Sequence, residues 1–210
     1  MEGLTSVRFC NAMTATDQRP SAGRPEVTTH AAIEQAAFRL FAERGFDGTT
    51  MDAIAEAVGV GRRTLFRYYG SKNDIPWGQF DQTLADFKAI LDNMPHDIPL
   101  AEAVHRGVVA FNNFPDDAQP SHRERMRLIL ETPTLQSHSV LRYRQWRAVI
   151  AEYVADRLDI EPTDLLPATL GQVSLALALT AYDQWLADAD SSMTRLLDAA
   201  MGCLKDHLRG

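Results

Sequence analysis

From Thr49 to Tyr69 the sequence reads TTMDAIAEAVGVGRRTLFRYY, and the order of residue types in it decides the fold. Thr49 and Asp52 stand at capping-box spacing, and Met51, Ile54, Ala55 and Val58 recur at helical intervals behind them. Gly59-Val60-Gly61 is too short and too glycine-rich for anything but a turn. Arg62 to Tyr69 then makes a second, short helix stopped by Gly70. Two helices joined so tightly form a helix-turn-helix, whose second helix enters the major groove of DNA. The charge agrees. Between Val58 and Asn73 lie Arg62, Arg63, Arg67 and Lys72 and no acidic residue, and cations dominate affinity for a phosphate backbone. Arg62 and Arg63 open the recognition helix, where side chains and helix terminus both favour phosphates or base edges. Thr64 is short enough to meet a thymine methyl or a phosphate. Tyr68 offers a hydroxyl, while Leu65 and Phe66 are the apolar anchors. A solvated basic face would carry the same four cations without needing the helix-turn-helix around them.

Working outward, Thr28 or Thr29 caps a preceding helix with Ile33, Ala36, Ala37, Leu40 and Phe41 on one side, ended at Gly45. Residues 1–25 lack apolar periodicity and read as a flexible arm, with Met13 an alternative start inside it. Ser71 caps a longer helix running to about Met94. Beyond it, prolines 95, 99, 115, 120, 133, 162 and 167 separate helical stretches near 100–113, 121–131, 135–158, 166–188 and 191–208. Leu175, Leu177 and Leu179 alternate as in a strand, but the alanines between them favour helix. The chain is all-α. An arm (1–25), a three-helix DNA-binding domain (26–72) and a helical effector-binding and dimerisation domain (73–210) are expected.

The 210 residues carry 21 basic and 28 acidic groups, a formal charge of -7, which excludes a protein that simply coats nucleic acid. All of that excess lies after residue 75. With 45% hydrophobic and 23% charged residues the chain is long enough to bury a real core. Cys10 and Cys203 offer no disulfide framework, and the six histidines show no metal spacing, so a reducing cytoplasmic setting without metal is expected. Leu165–Tyr182 has no charge, but Pro167, Gly171, Gln172, Ser174 and Thr180 make it a buried helix rather than a membrane span. No nucleophile–base pair or glycine-rich phosphate loop is present, so no catalytic residue or cofactor is expected.

The run Ala36 to Phe46, then Thr49 to Ala55, Val60 to Tyr69 and Ser71 to Asp74 resembles the TetR family of bacterial transcriptional regulators. The family usually has Ser, Tyr, Phe and Glu where Gly61, Phe66, Tyr69 and Asn73 stand. The resemblance implies DNA contacts by Thr50, Thr64, Tyr68 and Lys72, a palindromic double-stranded operator, a homodimer and a small effector. Phe66 lacks the hydroxyl of the family's Tyr, so that contact is not carried over. Asp74–Phe80, Arg123–Ile129 and Trp146–Tyr153 resemble regulators associated with mycofactocin biosynthesis in actinobacteria.

Two apolar stripes on 166–188 suggest burial on two sides: Leu170, Val173, Leu177 and Ala181 on one, Leu175, Leu179, Tyr182 and Leu186 on the other. The second stripe, with Leu196, Leu197 and Ala200 of the last helix, is the expected dimer interface. Arg142, Arg144 and Arg147, with Tyr143 and Trp146, form a basic-aromatic cluster expected to hold an anionic head group such as that of an acyl thioester. A solvated face paired with Glu152 or Asp156 is the competing reading. A DNA-binding regulator without an effector is the main functional alternative, and an all-α enzyme the weaker one.

Overall fold

The computed structural model describes residues 28–115 and 117–207, with side chains as far as residue 203. The expected arm lies outside the described residues. Every described element is a helix: α1 His30–Arg44, α2 Met51–Ala57, α3 Arg62–Leu65, a 3₁₀ segment Lys72–Trp77, α4 Phe80–Asp92, α5 Leu100–Phe111, α6 His122–Glu131, α7 Pro133–Leu158, α8 Leu165–Ala187 and α9 Met193–His207.

Local chemistry sets the boundaries. Thr29 caps α1 by accepting the Ala32 amide, and Gly45 ends it at φ 74°, a left-handed value that suits glycine. The cap of α2 is Thr50, which accepts from the Ala53 amide, and not Thr49 as the spacing suggested. Thr49 is buried, and its hydroxyl donates to the carbonyls of Gly45 at 2.9 Å and Leu40 at 3.2 Å. It therefore ties the α1–α2 turn to the end of α1. The continuous helix expected from Ser71 is also corrected. Gly78, at φ 61°, interrupts it after the 3₁₀ segment, and α4 starts two residues later.

Apolar residues collect into two cores. In the head, Ile33, Ala37, Leu40 and Phe41 of α1 pack against Ile54, Ala55, Leu65 and Tyr69. Ile75 and Leu135 join this core from beyond residue 72, so the start of α7 is part of the support of the head. In the body, Phe87, Leu91, Val108, Ile150, Val154 and Leu197 are almost wholly buried. Burial of such a side chain is worth about 1.5–3 kcal/mol relative to exposure. Helix α8 lies between α7 and α9 and buries Pro167, Gly171, Ser174, Leu175, Ala178, Ala181 and Tyr182. The leucine alternation at 175–179 continues as helix. By length and composition α8 could cross a membrane, yet its packing is that of a core helix on one side.

Candidate DNA-binding face and effector cavity

The recognition helix α3 is short, Gly61 gives it no side-chain cap, and beyond Phe66 it continues as turn bonds from Arg67, Tyr68 and Tyr69 back to Thr64 and Leu65. Leu65 is its fully buried anchor. The other expected anchor, Phe66, is instead 39% exposed and lies beside the Arg62 guanidinium, 5.5 Å from the ring centre. Arg62, Arg63 and Arg67 are exposed, and Thr64 half-exposed. Arg62 also meets Asp52 of α2 at 3.1 Å, an open ion pair of small energetic weight. Among the described residues no ion pair holds back Arg63 or Arg67 on this face. Thr50 uses its oxygen as the α2 cap acceptor and keeps its hydroxyl proton for an outside acceptor such as phosphate.

Two of the expected DNA contacts are placed otherwise. The Lys72 ammonium donates to the carbonyls of Phe46 at 2.6 Å and Thr49 at 2.8 Å, and lies 4.4 Å from the centre of the Phe46 ring. It holds the α1–α2 turn. The Tyr68 hydroxyl donates to the Thr28 carbonyl at 2.8 Å, so its proton is spent inside the protein.

A cavity of about 420 Å³ opens between α4, α5, α6, α7 and α8, within the size range of small-molecule sites. Its apolar wall is aromatic: Trp77, Phe80, Phe111, Phe114, Tyr143 and Trp146. Trp146 stacks on Phe87 at 5.2 Å between centroids. The wall also holds a hydrogen-bonded polar chain. Tyr182 donates to Asn112 Oδ1, and its oxygen lies 2.7 Å from His122 Nε2. Since Tyr182 has spent its only proton, His122 must be the donor there, which fixes the Nε2–H tautomer. Burial, with Arg125 nearby, pushes the His122 imidazole down to about 3 and keeps it neutral.

The expected head-group cluster does not converge. Of its members only Trp146 and the adjacent Tyr143 line the cavity. Arg142 meets Asp74 at 2.9 Å and lies over Phe80. Arg144 is exposed, and Arg147 donates to Gln172 of α8 at 2.6 Å. Residues two apart on a helix point to opposite sides, so Arg142 and Arg144 cannot share a ligand. The expected dimer residues are also corrected in part. Leu175, Tyr182 and Leu197 belong to the body core, and Leu179 faces the cavity. Leu186, Leu196 and Ala200 stay half-exposed. Of the first stripe, Val173 and Leu177 are half-exposed and stand apart from that core.

What the sequence reading missed is the junction of head and body. Asp74, in the 3₁₀ segment, accepts from Ser71, Arg142 and, at 3.1 Å, His138. Burial pulls its carboxyl pKa up, but those bonds outweigh it and hold the group below its ordinary value. On the other side Arg125 of α6 pairs with Glu34 of α1 and donates to the Pro76 carbonyl at 2.7 Å. These partners lie 49 and 91 residues apart in sequence, and no local pattern announces them.

This architecture has known relatives. Residues 33–75 match the bacterial regulatory proteins of the tetR family, and residues 98–209 match the MftR C-terminal domain. Over 178 residues the chain is 46% identical to a Mycobacterium tuberculosis protein described as a mycofactocin biosynthesis transcriptional regulator, MftR, covering 85% of this chain and 90% of that one. The chain belongs to the TetR family. It is a transcriptional regulator of that family with an MftR-type body. The helix-turn-helix transcriptional regulator TcmR of Streptomyces glaucescens is 26% identical over 182 residues, 82% of this chain and 80% of that one. The fold is shared with a TetR repressor, FadR of Thermus thermophilus, solved in complex with lauroyl-CoA. That likeness has a TM-score of 0.56 at 20% identity over 84% of this chain and 93% of the other. SmeT, the repressor of a Stenotrophomonas maltophilia multidrug efflux pump, gives a TM-score of 0.57 at 16% identity over 83% and 87% of the two chains.

Proposed function

We propose that this TetR-family regulator is a cytoplasmic repressor that binds a near-palindromic operator as a homodimer and leaves it when a small amphipathic effector fills the body cavity. Arg63, Arg67 and Thr64 read and hold the major groove, with Thr50 on a phosphate and Arg62 shared between DNA and Asp52. The dimer forms through the outward faces of α8 and α9, using Val173, Leu177, Leu186, Leu196 and Ala200. An acyl thioester is the favoured effector class: the cavity wall combines aromatic and aliphatic side chains with a few polar ones, among them Arg125.

One observation carries the reading. The wall of the cavity includes Glu34 of α1 and Pro76, Trp77 and Gly78 at the end of the 3₁₀ segment, the parts that seat the DNA-binding head. A ligand there touches the support of the head directly, which favours an effector-controlled regulator over one without an effector. The first test is selection from a pool of random duplexes. Enrichment of one inverted repeat with half-sites about 34–36 Å apart, or a multiple of that, is expected. Recovery of no sequence above background by the full-length protein would contradict the reading.

A further inference from the structure

We infer that the Glu34–Arg125 ion pair is the fastening the effector undoes: an apolar ligand carrying an anionic oxygen at its polar end takes Arg125 from Glu34 and loosens the head. This rests on the effector reading above and adds the subsite and the chemistry it selects. Both residues lie in the cavity wall, and both remain reachable, the side chains of Arg125 and Glu34 being 20% and 11% exposed. Among the described residues Arg125 is the one cation in that wall. His122 is held neutral there, and Asp86 repels an anion. An anionic ligand has no other cation of the wall to seek.

The pair is built so that its loss matters. One guanidinium reaches Glu34 and the Pro76 carbonyl, and lies 5.3 Å from the centre of the Phe38 ring, tying α6 to α1 and to the 3₁₀ segment. The second oxygen of Glu34 accepts from the Tyr69 hydroxyl at 2.5 Å, and the Tyr69 amide bonds back to the carbonyl of Leu65, the last residue of the recognition helix. A Cβ on Gly78 would stand 3.3 Å from Arg125 Nη1 and 3.4 Å from Glu34 Oε1. The backbone therefore closes one side of the pair, and the cavity is its open side. A ligand carboxylate or phosphate can occupy the guanidinium fork as Glu34 does. Glu34 is then a carboxylate only 8% exposed with the Tyr69 hydroxyl as its remaining partner. Such a group must gain water or a proton, and α1 has to move for it to do so.

The test uses the full-length protein, its selected operator and three probes with one chain length: dodecanoate, dodecanoyl-coenzyme A and dodecan-1-ol. Tryptophan fluorescence reads probe binding, and anisotropy of labelled operator reads release. In the wild type either anionic probe, or both, should weaken operator binding about fivefold or more, and dodecanol less than about twofold. The two anionic arms separate a free carboxylate from a thioester whose phosphates supply the charge. In Glu34→Gln the anionic probes should bind about fivefold tighter, since nothing competes for Arg125, while release shrinks toward none. Tyr69→Phe should act oppositely: Glu34 depends more on Arg125, so anionic probes bind about two- to fivefold more weakly and dodecanol is unaffected. A merely structural pair would change melting temperature without these opposite shifts. Equal probe affinity and equal release in wild type, Glu34→Gln and Tyr69→Phe overturn the inference and leave the effector reading standing. Release by dodecanol as strong as by dodecanoate overturns the role of the anion. No binding of any probe to the wild type overturns the effector reading and the inference with it.

Discussion

Arg63 and Lys72 show how neighbouring cations on one motif part in function. Arg63 is exposed on α3, and its guanidinium is free to meet a phosphate or a guanine edge. Arg63→Ala should weaken operator binding by about 1–3 kcal/mol, roughly 5- to 150-fold, with the melting temperature unchanged. Lys72 instead donates to the carbonyls of Phe46 and Thr49. Lys72→Met should cost about 1–3 kcal/mol of stability by stranding those acceptors, and leave the salt dependence of DNA binding as it is. Thermal melts and anisotropy at several salt concentrations separate the two outcomes. The basic excess of this segment was legible in the sequence, but not which cations face outward. Arg62, Arg63, Arg67 and Lys72 look alike until the turn at Phe46 folds back under Lys72.

His122 gives a pH dependence of definite sign. Its folded pKa is pushed from 6.5 down to about 3, so the unfolded chain takes up a proton that the folded protein refuses. The stability it contributes is whole above pH 6.5 and drains away as pH falls toward 3. The steepest loss is about 1.4 kcal/mol per pH unit. Urea unfolding from pH 7 to pH 4 should show that slope. His122→Gln, which can still donate to Tyr182, should flatten it.

Among the elements, the contact of α7 and α8 is the tightest test of packing. A Cβ on Gly171 would come within 2.8 Å of the Arg147 carbonyl oxygen, a backbone atom that cannot swing aside. Gly171→Ala should therefore push the two helices apart and cost about 1–3 kcal/mol in a denaturation series. Helix ends were readable where one residue decides them: Gly45 and Gly59 needed only local chemistry, whereas at α2 the adjacent Thr49 and Thr50 look alike and only the fold shows that Thr50 caps while Thr49 is buried. The break at Gly78 was marked by Pro76 and Gly78 themselves, yet the apolar spacing on either side hid it. The arginines of α7 misled for the opposite reason. Arg142, Arg144 and Arg147 are close in sequence, and helical rotation sends them to Asp74, to solvent and to Gln172.

The whole molecule divides into a head and a body joined by the Asp74 cluster on one side and the Glu34–Arg125 pair on the other. The helix-turn-helix and the all-α body were legible because each rests on local periodicity. The junction and the cavity were not, because Glu34, Asp74, Arg125 and Arg142 meet across large sequence separations. The same holds for the outward side of α8, where both stripes are apolar and only the packing shows that Leu175, Ala181 and Tyr182 are spent on the core while Val173, Leu177 and Leu186 stay half-exposed. Leu177→Arg, at a half-exposed position of the proposed dimer face, should yield a folded monomer by light scattering and lose most operator affinity, because each half-site then binds alone. A wild-type monomer at micromolar concentration would sink that assignment.

Control of DNA binding through the body cavity is best measured by titrating the operator complex of the full-length protein with a long-chain acyl thioester, following operator anisotropy and tryptophan fluorescence in the same sample. Quenching of the cavity tryptophans should run in step with a loss of operator affinity of about 5- to 150-fold, the range of a coupling of roughly 1–3 kcal/mol. Quenching that saturates while operator affinity stays constant would show the cavity and the DNA-binding head to be uncoupled, and would contradict it.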